Sequence, residues 1–217
     1  MRLRLRASRC CAGDLPDSVA VRKVTPDEFA TSAKPVLDRL VKTFDWKEGP
    51  FRRDLNERLI LDLLGFWLDE EQFRAICEAA RSVGDTNLLY SNTRGYLGGP
   101  ELMPYYTWEL SLFEYDEYCD SDDEPVNREH DIGIPLDRVL YSPSGKWAVV
   151  LPDELALVGG SHRFMDSFKR AYPQWTTQMD LFVAARLDAA RKRGANMAWV
   201  PQLLQHVYGD DAPPFVP

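Results

Sequence analysis

With 217 residues, 45% of them apolar and 12% aromatic, the chain has the length of one domain, or of one domain with a helical appendage, and the large side chains to fill a core. Charged residues at 28% exclude wholesale disorder, and a net charge of −8 repels a phosphate backbone, so nucleic acid is not an expected partner. Cys10, Cys11, Cys77 and Cys119 contain no CxxC pair, which excludes a disulfide framework and a zinc ribbon and suits a reducing, cytoplasmic setting with no cofactor.

In chain order, MRLRLRASRCCAG carries positive charge without an apolar run of signal-peptide length behind it, and residues 1–24 read as a poorly ordered leader. No stretch reaches the ~20 apolar residues of a membrane span, so no membrane is expected. Thr25-Pro26-Asp27-Glu28 starts a helix, with a capping threonine, a proline in the first turn and a glutamate to close the capping box. Pro35 interrupts, and a better helix follows over 35–44 with Val36, Leu37, Leu40, Val41 and Phe44 on one face. Residues 58–68, RLILDLLGFWL, read as one buried strand or two short ones with a bulge at Gly65, or as a helix, because a short apolar run fits both. Asp69, with Gln72 three residues on, opens a helix that places Phe73, Ile76, Cys77 and Ala80 together and stops at Gly84. A strand is expected over 87–91, a glycine- and aromatic-rich loop over 92–106, and a half-buried strand where Trp108, Leu110 and Leu112 alternate. An acidic loop covers 116–131. Strands at 138–142 and 146–151 flank the turn Pro143-Ser144-Gly145, and a further turn leads to a strand at 155–158, an antiparallel meander. Three helices close the chain. The first is lined by Phe164, Met165 and Phe168, and the second by Met179, Phe182, Val183 and Leu187 with Arg191-Lys192-Arg193 at its end. The third starts at Pro201 and carries Leu203, Leu204, Val207 and Tyr208. The expected architecture is α+β, an antiparallel sheet with helices packed against it and a helical C-terminus. Residues 25–209 form a single domain and 210–217 a loose tail.

Four places have the residue types of a site. LVGGSHRFMDSF, residues 157–168, runs from an apolar strand through two glycines to a helix, the geometry of an anion cradle. It matches neither GxxxxGK[ST], nor GxGxxG, nor GxSxG. Ser161 reads as a helix N-cap, with Gly159 and Gly160 supplying a turn of positive φ. The acidic loop holds Asp116, Glu117, Asp120, Asp122, Asp123, Glu124, Glu129 and Asp131. It lacks the glycine of a calcium loop, so no metal is expected there, and it reads either as a solvated charge run or as a docking surface for a cationic partner. Tyr96, Tyr105 and Tyr106, with Tyr90 and Trp108, read as the lining of a pocket, as interface anchors or as core. His130, His162 and His206 form no HExxH or HxH pattern, and the basic runs Arg52-Arg53 and Arg191-Lys192-Arg193 read as surface or helix-end charges. No catalytic residue is assigned.

The segment YSPSGKWAVVLPDELALVGGSHRFMDSFKRAYP, residues 141–173, resembles a C-terminal module of small bacterial proteins, some of them immunity partners of secreted toxins. The shared pattern is a hairpin around a small-residue turn, an early tryptophan in the second strand, a third strand ending in Gly-Gly, and a helix. The resemblance implies a cytosolic, non-catalytic protein that blocks a toxin by stoichiometric binding. The expected partner is a basic toxin domain, met by Asp116, Glu117, Asp120, Asp122, Asp123, Glu124, Tyr96, Tyr105 and Tyr106. Two alternatives stay open: an enzyme with an active site assembled from residues far apart in sequence, and a small-molecule-binding accessory domain.

Overall fold

The computed structural model describes residues 22–43, 45–63, 68–93, 104–112, 138–152 and 155–216. Its elements are strand β1 (Arg22–Lys23), helix α1 (Pro26–Glu28), a π-helical stretch (Phe29–Ala33), α2 (Lys34–Leu40), β2 (Glu57–Asp62), α3 (Glu70–Ser82), β3 (Asn87–Thr93) and β4 (Pro104–Ser111). They continue with β5 (Arg138–Tyr141), β6 (Trp147–Leu151), β7 (Leu155–Gly160), α4 (His162–Ala171), α5 (Trp175–Arg193) and α6 (Val200–Tyr208). Among the described residues seven strands form one sheet in the order β1-β4-β3-β5-β6-β7-β2, antiparallel throughout. The fold is α+β, and β5-β6-β7 is the expected meander.

Helices cover both faces of the sheet. One core joins Phe73, Ile76 and Cys77 of α3 and Phe164, Met165 and Phe168 of α4 to Leu59, Leu61, Val149 and Val158 of the sheet. The other joins Phe29, Ala33, Leu37 and Leu40, Phe182 of α5, and Leu203, Leu204 and Val207 of α6 to Ile60, Val150 and Leu157. Successive residues of one strand point to opposite faces, so Leu59, Ile60 and Leu61 enter the two cores alternately. This is why Leu59-Ile60-Leu61 is continuously apolar, and it resolves the strand-or-helix ambiguity of that run in favour of a strand. Gly65 lies outside the described residues.

Two helix expectations need correction. Pro35 does not interrupt: the chain runs helically from Pro26 to Leu40 through the π stretch, where the Lys34 N–H donates to Phe29 O. That shift of the ladder leaves Pro35 in the first turn of α2, where a missing N–H is harmless. Nor does the helix reach residue 44. Val41 turns extended, at φ −119° and ψ 128°, and bridges Phe51. The capping boxes at Thr25/Glu28 and Asp69/Gln72 both form as expected. Ala212 and Phe215, beyond α6, pack against the second core. Among the described residues no helix is long and apolar enough to cross a membrane.

Candidate functional site

The expected partner-binding residues divide between the sheet and segments outside the described residues. Tyr96, Asp116, Glu117, Asp120, Asp122, Asp123 and Glu124 lie outside, as do Cys10, Cys11, Cys119 and His130. Tyr105 and Tyr106 fall in β4, where Tyr106 pairs with Asn92. Tyr90 and Trp108 are core residues, only 4% and 2% exposed, with ring centroids 6.0 Å apart. Asn92 pairs with Tyr106 on one side and Arg138 on the other. Thr93 at the end of β3, Pro104 at the start of β4 and Arg138 at the start of β5 therefore lie at one end of the sheet.

The glycine-serine-histidine stretch at 159–162 is structural, for reasons that differ from those expected. Gly159 and Gly160 are strand residues of β7, paired with Arg58 and Glu57 of β2, and neither has a positive φ. Glycine is required by close approach instead: a Cβ on Gly160 would stand 2.5 Å from Phe164 Cδ1, and one on Gly159 would stand 3.1 Å from the Phe51 ring. Ser161 occupies the N-cap position of α4, but its hydroxyl makes no capping bond. His162 Nδ1 contacts Glu57 Oε1, and Lys169 Nζ donates to Glu57 Oε2 at 2.6 Å. Burial opposes ionisation of Glu57, yet the hydrogen bonds from Lys169 and His162 outweigh it and hold the carboxyl below its usual range. With the His162 side chain 75% exposed, this is a surface clasp between β2 and α4.

Two further reactive groups are buried. The Cys77 thiol is pushed by burial to about 12, which leaves almost no thiolate at neutral pH. Asp85 accepts hydrogen bonds from Ser142 Oγ at 2.6 Å, Ser144 Oγ at 2.7 Å and Trp147 Nε1 at 2.8 Å. It ties the approach to β3 to the β5–β6 turn.

Among the described residues a concavity lies at the opposite end of the sheet. It is a cleft of about 640 Å³ lined by Asp38, Arg39, Lys42, Phe51, Arg52, Arg53, Asp54, Arg58 and His206. Three local features build it. The turn out of α2 folds back on itself: Lys42 N–H donates to Pro50 O at 2.8 Å and Arg52 N–H to Leu40 O at 2.9 Å, which sets Arg39 and Lys42 beside Arg52 and Arg53. Gly49, with φ 78°, permits the turn, and a Cβ there would strike the His206 ring. Arg58, at the start of β2, spreads its guanidinium over three carbonyl oxygens: Leu55 at 2.9 Å, His206 at 2.7 Å and Arg52 at 3.2 Å. His206, on α6, is held at about 4 by burial first and then by Arg58 and Lys42, so it is neutral at pH 7.

Comparison with protein-family models, curated proteins and solved structures found no match.

The sequence reading missed this cleft because its residues come from α2, the turn before β2, β2 itself and α6, with no spacing that links them. Arg52-Arg53 was the only visible signal. Read as isolated surface charge, the pair is in fact one side of a shared concavity. Arg191-Lys192-Arg193 does sit at the end of α5 as expected.

Proposed function

We propose that this chain is a non-catalytic, cytoplasmic binding protein of the immunity type, which neutralises a cationic toxin domain by stoichiometric occlusion. One observation carries the reading: the negative charge is concentrated, not spread. Residues 113–137 hold ten carboxylates and one arginine, a net −9, against −8 for the whole chain, so the remainder is close to neutral. A charge excess confined to one connection between two strands gives a strong local potential, which speeds encounter with a cationic partner and selects against anionic ones. Asn92 is the register partner of both Tyr106 and Arg138, so the start of β4 and the start of β5, the strand that follows the acidic stretch in sequence, flank the same end of β3, which supports a surface combining charge with aromatic anchors.

The test is cross-linked capture from the native host at low and at high salt, using the natural chain and a variant combining Asp116→Asn, Asp120→Asn, Asp122→Asn and Asp123→Asn. The expected result is one basic protein held 1:1, recovered less at high salt and lost with the variant. A partner retained equally by both chains, or turnover of a metabolite by the purified protein, would sink the proposal.

A further inference from the structure

We propose that the cleft lined by Arg39, Lys42, Arg52, Arg53 and Arg58 is a binding site for a small phosphorylated ligand, separate from the protein-binding surface. Five cationic side chains face two carboxylates, Asp38 and Asp54, a local net charge of +3 in a chain whose total is −8. One of those carboxylates is already engaged, since Asp38 pairs with Lys34 at 2.7 Å. Among the described residues no carboxylate makes a salt bridge with any of the five cations. Arg58 is satisfied as a donor by carbonyl oxygens, but these leave its positive charge uncompensated. Arg52 uses Nε on Asp38 O at 3.1 Å, and Lys42 reaches Glu48 O at 3.4 Å, again without neutralisation. Like charges gathered without counterions repel one another, and an arrangement of this kind is relieved by a bound anion.

The ligand class follows from the donors. Guanidinium groups present planar forks that match the oxygens of a phosphoryl group, and lysine adds a point charge. A volume of about 640 Å³ is that of a small-molecule site, and these five cations line that one cleft, whereas a nucleic-acid strand is tracked by an extended basic stripe. The neutral state of His206 leaves the arginine and lysine charges, which do not titrate near neutrality, to set the potential.

The experiment is calorimetric titration and thermal melting of the full chain at low ionic strength with pyrophosphate, inorganic phosphate, citrate and a short single-stranded oligonucleotide. Pyrophosphate is expected to bind and to raise the melting temperature in proportion to its concentration, with inorganic phosphate weaker. Arg39→Gln, Lys42→Gln and Arg53→Gln should each weaken pyrophosphate by about tenfold, while the unliganded melting temperature holds or rises because repulsion falls. Asp54→Asn should tighten binding. That opposition, a weaker ligand on an equally stable or more stable protein, is one that a merely structural role for these side chains would not produce. The proposal fails if pyrophosphate does not bind, if citrate binds as tightly, if the glutamine variants bind unchanged, or if the oligonucleotide binds and pyrophosphate does not.

Discussion

At the level of single residues, Gly160 shows how a motif that looks chemical can be steric. Its missing side chain makes room for Phe164, which is fully buried and stacks on Trp147 at 5.1 Å with the rings 11° from parallel. Phe164 is thus held against Trp147, and a new methyl group at position 160 would meet its ring. Gly160→Ala should destabilise the protein by roughly 2 kcal/mol through overpacking. The change should be partly absorbed when combined with Phe164→Leu, so that the double variant is less destabilised than the two single losses added together. Denaturant unfolding of the four proteins measures this. Additive losses would mean that the ring is not what excludes a side chain at this position. The Gly-Gly before the helix was plain in the sequence, but its partner four residues on could be recognised only once β7 and α4 were placed against each other.

Among the elements, β2 and α5 explain each other. β2 is an edge strand, and the backbone N–H groups on its outer side would be open to pairing with another chain. Two side chains close them: Gln178 Oε1 of α5 accepts from Asp62 N–H at 3.0 Å, and Tyr208 Oη of α6 accepts from Ile60 N–H at 3.2 Å. Of α5 only Gln178 and Phe182 are buried, while Leu181 is 50% exposed. The helix is therefore fixed at its N-terminal half and lightly held beyond it. Of the stripe expected from periodicity, Met179, Phe182, Val183 and Leu187, only Phe182 is fully enclosed. α3, by contrast, buries Phe73, Ala75, Ile76, Cys77, Ala79 and Ala80. Native-state hydrogen exchange should show the amides of 184–193 opening locally and independently of denaturant, while those of 76–80 exchange only with global unfolding. Equal protection in the two helices would contradict this account. Elements with strong period or caps, such as α3 and the meander, were legible from sequence. α5 was legible as a helix but not in its depth of burial, because that depends on which strand lies beneath it.

For the whole molecule, the contrast between what could and could not be read has one cause. Strand and helix signals are local, and the antiparallel α+β arrangement followed from them. That helices cover both faces was implicit in continuous apolar runs such as LALV in β7, which a half-buried strand would not carry. The cleft depends on elements that are distant in sequence, and on Arg58 and His206, which stand 148 residues apart yet share a hydrogen bond. The same pair sets an acid sensitivity. Because the folded value for His206 is about 4, below its ordinary 6.5, the unfolded chain takes up this proton first as pH falls. Its contribution is fully present above about 6.5 and is lost progressively between there and about 4. Glu57, also held below its ordinary value of 4.5, adds a second loss in the same direction at lower pH. Unfolding free energy should therefore be level around neutral pH and fall below pH 6.5, with a slope less than the ~1.4 kcal/mol per pH unit of one whole proton, because the His206 ring is only partly shielded from solvent. His206→Asn should flatten the curve between pH 6.5 and 4.5 whatever its effect on absolute stability, since asparagine has no proton to gain there. A slope unchanged in that variant would show that the loss arises elsewhere and that the ring is as easily protonated in the folded chain as in the unfolded one.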